Sequence, residues 1–401
     1  MKKILKILAG IVIGALIGLV VIVMIIMLID SDFEPQELLS IKDIAWLKIL
    51  SSVLIATASM CVAAVTHIIL HETGHLIGGL ATGYRFFCIR FWKFAIVNDS
   101  HGLHVKRYEL IGTLGQCLMY LPENTGKTPY FWYNAGGVAA NMLLCGMSLL
   151  TLTSIELSTL AESLLIMLVY TGFFVILING LPLPSLLNDS RNIVLLHQKE
   201  ENRRLFANMM LCACETGKGT RPKALPERWL CGTMPQSHKE LFQINSYLVY
   251  LTWLEDNGRY DEAREGYERL TETFGDKLPM IFRADMAAEH LICELFTTAR
   301  KDRIEALWTE NNEKYIRQNA KYSPIKLAAL FAYELLHQDN TEEPKRLRKE
   351  LESRQESYIM GGETLMAASI MRQAESIYES RKAETKATAK EAEATEKEQR
   401  P

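Results

Sequence analysis

The sequence predicts a mainly α-helical protein: a polytopic membrane helical bundle of four spans, a small β-hairpin insert and a cytoplasmic α-helical repeat-like domain. Three observations predict it. Residues 1–190 hold nearly all the long apolar runs, and residues 191–401 hold most of the Lys, Arg and Glu. One stretch between the runs is rich in aromatic and β-branched residues. The charged half repeats a helix–turn–helix pattern. Averaged over 401 residues, 49% apolar and 23% charged resembles a globular protein, but only because two unlike halves are pooled. The formal net charge of −3 gives no reason to expect nucleic acid as a partner. Collagen-like, disulfide-scaffold and wholly disordered classes are excluded by composition.

The first run, Ile7 to Ile29, is 23 apolar or glycine residues behind Lys2, Lys3 and Lys6, enough to cross ~30 Å of hydrocarbon. A cleaved signal peptide has a shorter apolar core, ~7–15 residues, and a small-residue cleavage site. Residues 1–45 therefore read as a retained signal anchor and a short external loop. The second run extends from Trp46 to about Leu80, interrupted by Lys48 and by polar residues from His67 to His75. Tyr130 to Leu152 and Ala161 to Leu181 complete the four. The loop 30–45 is acidic apart from Lys42. The loop 83–129 carries Arg85, Arg90, Lys93, Lys106, Arg107 and Lys127. Basic loops stay in the cytoplasm, so the N-terminus, this loop and the C-terminal half are expected there. Within the loop, Tyr84 to Val97 and Leu103 to Ile111 are β-compatible. The turn residues Asn98, Asp99, Ser100 and Gly102 separate them, which reads as a hairpin at the membrane surface.

The chemistry sits at the end of the second run, His71-Glu72-Thr73-Gly74-His75. Residues four apart share a helix face, so His71 and His75 can hold one zinc ion between them, with Glu72 placed to accept a proton from water. Ionisable groups inside a span are costly and default to function. His67 lies one turn earlier, more than a turn from such an ion. It reads as a packing group or a support behind the ligands. Catalytic zinc takes three protein ligands and an open position. Asp189, after the turn Asn179-Gly180-Leu181-Pro182, is the carboxylate nearest the end of the last run on the same side, and is the expected third ligand. A helix cap at Asn188 or Asp189 is the structural alternative. Asn141, in Ala135-Gly136-Gly137-Val138-Ala139-Ala140-Asn141, is an amide inside a span and needs a partner. It binds substrate backbone or joins two helices. The small residues before it allow a close helix approach.

In order, these segments resemble the site-2 protease family of intramembrane zinc metalloproteases: His-Glu-x-x-His on one span, Gly-Gly-x-x-x-Asn on the next, and Asn-x-x-Pro followed by Asp on the last. The resemblance covers about residues 46–195. It implies one Zn2+ per chain held by His71, His75 and Asp189, with Glu72 as general base and Asn141 helping to hold substrate. The implied substrate is a transmembrane or membrane-associated peptide, and the expected setting is a bacterial cytoplasmic membrane. Leu187 stands at the slot where the family has Asp, and Ser190 where it has Gly. These departures motivate an alternative from another class, a catalytically inactive membrane adaptor.

From Arg191 the composition changes. Residues 196–242 read as a linker with short helices. Residues 243–380 read as a helical-repeat-like domain, where Tyr247 to Leu254 and Gly258-Arg259-Tyr260-Asp261-Glu262-Ala263 resemble a tetratricopeptide hairpin. Weaker echoes turn near Lys301-Asp302 and Gln338-Asp339-Asn340. Stacked helix pairs bind peptides or proteins, so a protein partner is expected here. Residues 381–401 lack an apolar face and read as a disordered tail or a frayed helix. The eight cysteines fit no metal-ribbon spacing and are expected as free thiols.

Overall fold

The computed structural model describes residues 46–99, 101–107, 114–123, 128–183, 188–278 and 280–398. The expected first span, residues 7–29, lies outside them. Helix α1 (Trp46–Ala81) leads into four short strands, β1 (Arg85–Phe91), β2 (Phe94–Asp99), β3 (Gly102–Arg107) and β4 (Gly115–Tyr120). Helices α2 (Tyr130–Ser154) and α3 (Thr159–Gly180) follow. Among the described residues, three helices rather than four are long and apolar enough to cross a membrane: Ser51–Ala81, Tyr130–Ser154 and Thr159–Gly180. Large apolar side chains such as Leu54, Val65, Leu143 and Phe173 point outward from them, the pattern of a helix whose solvent is lipid.

The chain divides into two compact units. The division cuts through α1 and α2, which are themselves continuous helices. The first unit comprises Met1–His71 and Gly137–Leu183. There α3 approaches α1 through Gly172, whose missing side chain leaves room for the His67 ring and the Cys145 sulfur.

The second unit comprises Glu72–Gly136 and Pro184–Pro401. Here α1 crosses the start of α2 with backbone against backbone. A Cβ on Gly136 would overlap the Gly74 carbonyl, and one on Gly78 would overlap the Trp132 carbonyl. The expected hairpin is instead a four-stranded antiparallel sheet of order β3-β2-β1-β4. The correction has a simple cause. The middle of β1 is buried, and β1 pairs along both edges, Ile89 with Ile96 on one side and with Cys117 on the other. An irregularity between Phe86 and Cys88 turns Phe87 inward, where it is fully buried against Gly217.

Residues 196–242, expected as a linker with short helices, do carry helices. Helix α4 (Asp189–Gln198) and helix α5 (Glu200–Gly217) fill the first part, and α5 packs on β4. Beyond them lie α6 (Leu241–Asp256), α7 (Tyr260–Phe274), α8 (Met280–Phe296), α9 (Lys301–Leu307), α10 (Glu310–Asn319), α11 (Pro324–Leu336), α12 (Glu342–Arg354) and α13 (Gly361–Glu398). The three expected turns fall where left-handed backbone occurs, at Gly258, Ala299 and Asp339. The pairs share one apolar core built on Tyr247, Tyr267, Leu291, Phe331 and Ile370. Helix α13 packs on α11 and also meets α7, where the Tyr260 hydroxyl donates to Gln373 at 2.8 Å. Helix α13 continues through Glu398, into the stretch expected as a disordered tail or a frayed helix. All eight cysteines are free thiols.

Candidate metal centre

The His-Glu-x-x-His segment occupies the last turns of α1. The boundary between the two units falls between His71 and Glu72, inside unbroken helix, so His71 and His75 remain one helical turn apart on a single element. His71, Glu72 and His75 are each about nine-tenths buried. Burying such groups without purpose is expensive, about 3 kcal/mol for a charged side chain at the centre of a membrane helix.

His75 is fixed from two sides. Its Nδ1 donates to the Tyr133 carbonyl at 2.7 Å, so in the neutral ring its Nε2 carries the lone pair. That Nε2 lies 3.5 Å from Asp189 Oδ2. The close Gly74–Gly136 and Gly78–Trp132 crossings bring the Tyr133 carbonyl within reach. The Tyr133 ring is held in turn by a hydroxyl bond to the Cys117 carbonyl at 2.7 Å and by stacking on Tyr84.

Asp189 is the first residue of α4. The capping role falls to Asn188, whose side chain accepts from the Arg191 amide at 2.8 Å. The Asp189 carboxylate is thereby left to face His75. Helix α4 is tied to α2 by Asn192 donating to Asn134 at 3.4 Å and by Tyr130 and His197 at 2.9 Å.

His75 and Asp189 face each other within the second unit, and His71 precedes His75 by one turn of the same unbroken helix. Two donors about 2.0–2.1 Å from a tetrahedral ion stand about 3.3–3.4 Å apart. The 3.5 Å between His75 and Asp189 fits that spacing, and the two-histidine, one-carboxylate donor set suits zinc.

Glu72 points to a different neighbour. Gly115, the first residue of β4, passes so close that any Cβ there would overlap the Glu72 carboxylate. Arg90, fully buried, donates to the Gly115 carbonyl at 3.3 Å and to the Trp92 carbonyl at 2.9 Å, which anchors the strand end beside Glu72.

Asn141 is fully buried. Its amide bonds to His71 Nδ1 at 2.9 Å and to His67 Nδ1 at 3.0 Å. His67 Nε2 donates to the Leu168 carbonyl at 2.8 Å. The structure thus brings His75 and Asp189 together, keeps His71 one turn before His75 on α1, sets Glu72 against Gly115, and spends the Asn141 amide on two histidines. Gly115, Arg90 and the Tyr133 and Leu168 carbonyls were not singled out from sequence. Carbonyls leave no residue signature, and Arg90 looked like one more basic loop residue.

A second group, Glu268, His290 and Glu294, lies within 4.8 Å. There, however, Arg300 donates to Glu268 at 2.7 Å and to Glu294 at 3.0 Å. Glu294 also accepts the Arg300 main-chain amide at 2.9 Å and so clamps the turn after α8. Arginine already supplies the positive charge a metal would bring.

No family model, curated protein or solved structure matches the chain.

Proposed function

We propose that this chain is an intramembrane zinc endopeptidase of the site-2 protease type, hydrolysing peptide bonds in membrane-spanning or membrane-associated peptides. The observation that carries the reading is Asp189 standing 3.5 Å from His75, with His71 one turn earlier and Glu72 between them in sequence on a helix long and apolar enough to cross a membrane. His71, His75 and Asp189 would hold the ion. Zinc, when bound, supplies Lewis-acid polarisation of the scissile carbonyl and acidifies a water molecule.

Glu72 takes up the proton at its carboxylate and later delivers it to the leaving amine. Helix carbonyls are hydrogen-bonded within the helix, so a helical substrate must unwind before cleavage. An extended segment added to the β4 edge would run past Gly115 and hence past Glu72. The basic residues of the 83–129 loop favour a cytoplasmic site, with the helical domain on the same side selecting or presenting substrate.

The test is zinc content per purified chain. One zinc in the unaltered protein, with loss in both His71→Ala and Asp189→Asn, supports the three-ligand site. It also makes Glu72→Gln a trap for substrates. Zinc retained in Asp189→Asn moves the third ligand elsewhere. Absence of zinc in the unaltered chain, with the metal supplied, sinks the enzyme reading in favour of the membrane adaptor.

A further inference from the structure

The hydrogen bonds around Asn141 fix a tautomer. A main-chain carbonyl can only accept, so His67 Nε2, 2.8 Å from the Leu168 carbonyl, carries a proton. The structure has the Asn141 amide oxygen facing His67 Nδ1 and the amide nitrogen facing His71 Nδ1. That arrangement requires a second proton on His67, making a cation at a site with no exposure inside a membrane helix. It also makes His71 Nδ1 an acceptor, which places the His71 proton on Nε2 and blocks that nitrogen as a ligand. A half-turn of the amide exchanges two atoms of nearly equal size and removes both difficulties. His67 is then neutral and accepts from the amide NH2. His71 Nδ1–H donates to the amide oxygen, and His71 Nε2 carries the lone pair.

We propose that Asn141 and His67 are positioning residues for the metal centre: His67, anchored on the Leu168 carbonyl, holds the Asn141 amide with its oxygen toward His71 and so commits His71 to binding through Nε2. His75 reaches the same state through the Tyr133 carbonyl. The two ligand histidines are thus oriented by different devices, a side-chain relay and a single main-chain acceptor. This inference rests on the metal-centre reading above. Partners of this kind behind a ligand histidine typically change metal affinity ~10–100-fold when removed.

The test measures zinc affinity against a competing chelator, and the visible spectrum of the Co2+-substituted protein, for four forms of the full chain. Asn141→Leu removes the acceptor, and its zinc Kd is expected to rise ~10–100-fold with an altered Co2+ band. Asn141→Asp keeps an acceptor for His71 whichever way the side chain turns. It is expected within ~3-fold of the unaltered protein, with an unshifted band, because a carboxylate supports a ligand histidine as well as an amide does. His67→Ala frees the amide to turn and is expected to weaken binding, and adding Asn141→Asp to it is expected to restore binding.

Equal affinity in Asn141→Leu and the unaltered protein overturns the proposal. So does an Asn141→Asp as weak as Asn141→Leu, which would put the nitrogen on His71. If Asn141→Leu does not fold, His67→Ala with and without Asn141→Asp decides the same question. A failed metal-centre reading appears as missing zinc in the unaltered protein, whereas a failed relay appears only among the variants.

Discussion

Gly115 and Glu72 are in contact, and a side chain on the first would displace the carboxylate of the second. The contact joins strand β4 to the one residue of the motif that handles protons in the proposed reaction. The neighbouring Arg90–Gly115 bond leaves the strand end little freedom to retreat. Gly115→Ala is therefore expected to move the Glu72 carboxylate while leaving His71, His75 and Asp189 in place. A displacement of about 1 Å at a catalytic group costs on the order of 100-fold in rate. The expected outcome is a 10–100-fold loss of cleavage of whatever substrate the Glu72→Gln form captures, with zinc still bound. Undiminished cleavage would mean that Glu72 has room the packing does not show.

Gly172 plays the corresponding part behind His67. A methyl group there would overlap both the His67 ring and the Cys145 sulfur. Overfilling a packed site costs about 1–3 kcal/mol. Gly172→Ala should lower the thermal midpoint in detergent and weaken zinc binding together, because the Leu168 carbonyl that anchors His67 lies one turn away on α3. Gly146→Ala is the control, since nothing lies within 4 Å of a Cβ at Gly146. A loss of the same size in both variants would argue for a general helix effect.

The sequence was legible where chemistry and spacing coincide. His71, Glu72 and His75 announce themselves because three such groups in an apolar run have few other uses, and Asp189 follows from its place after the last apolar run. The three turns of the helical domain were legible because Gly258, Asp339 and the residues near Ala299 break strong helical patterns. The fourth strand was not legible. Gly115–Tyr120 carries a glycine and a glutamine at its start, and its strand character comes from pairing with β1. Nor was the role of Asn141. From sequence it could hold substrate or join helices, and only the placement of His67 and Leu168 beside it shows where its hydrogen bonds go.

The helical domain carries a proton that should make its stability pH-dependent. Glu255 is fully buried. The Tyr267 oxygen lies 2.6 Å from a carboxylate oxygen of Glu255 and 2.6 Å from one of Glu289. One phenolic proton cannot serve both, so one carboxyl keeps its own. Burial first, and then the facing carboxylate, holds Glu255 well above the usual carboxylate range, and burial raises Glu289 as well. Burial also pushes Glu363 up to about 7. Asp256, Asp285 and Lys326 are the other charged groups acting on them.

These acids hold protons in the folded state that the unfolded chain has released. Their contribution is present at low pH and is lost as pH rises through the folded values. Glu294 works in the opposite sense, but Arg300 and Thr298 hold it down at about 2, so it stays charged across this window. Buried His290, held neutral with its value lowered to about 4, adds stability as pH rises to its ordinary 6.5 and offsets the acids below that point, so the thermal midpoint of the helical domain is expected to fall between about pH 7 and 8.5. Glu255→Gln, which cannot lose the proton, is expected to flatten that slope. A midpoint that rises over the same window would contradict the shared-proton arrangement.

Glu268, His290 and Glu294 offer a direct contrast with the proposed metal centre, because they too gather histidine and carboxylate side chains within 4.8 Å. What separates them is compensation. The Glu294 side chain has no exposure and pairs with Arg300, which also reaches Glu268. Burial lowers the affinity of His290 for protons to about 4, so its ring is neutral and stacks on Tyr267. An ion entering here would have to expel a guanidinium that already makes several charge-assisted bonds. The second group should therefore act on stability and not on metal content. Glu294→Gln removes the charge that holds Arg300 and the Ala299 turn. It is expected to lower domain stability by about 1–3 kcal/mol, the range for a lost buried hydrogen-bonding partner, while zinc stays at one per chain. His71→Ala is expected to do the reverse, abolishing zinc while leaving hydrogen exchange in α6 to α8 unchanged. If Glu294→Gln lowers zinc content, the metal belongs to the helical domain, and the assignment to the end of α1 fails.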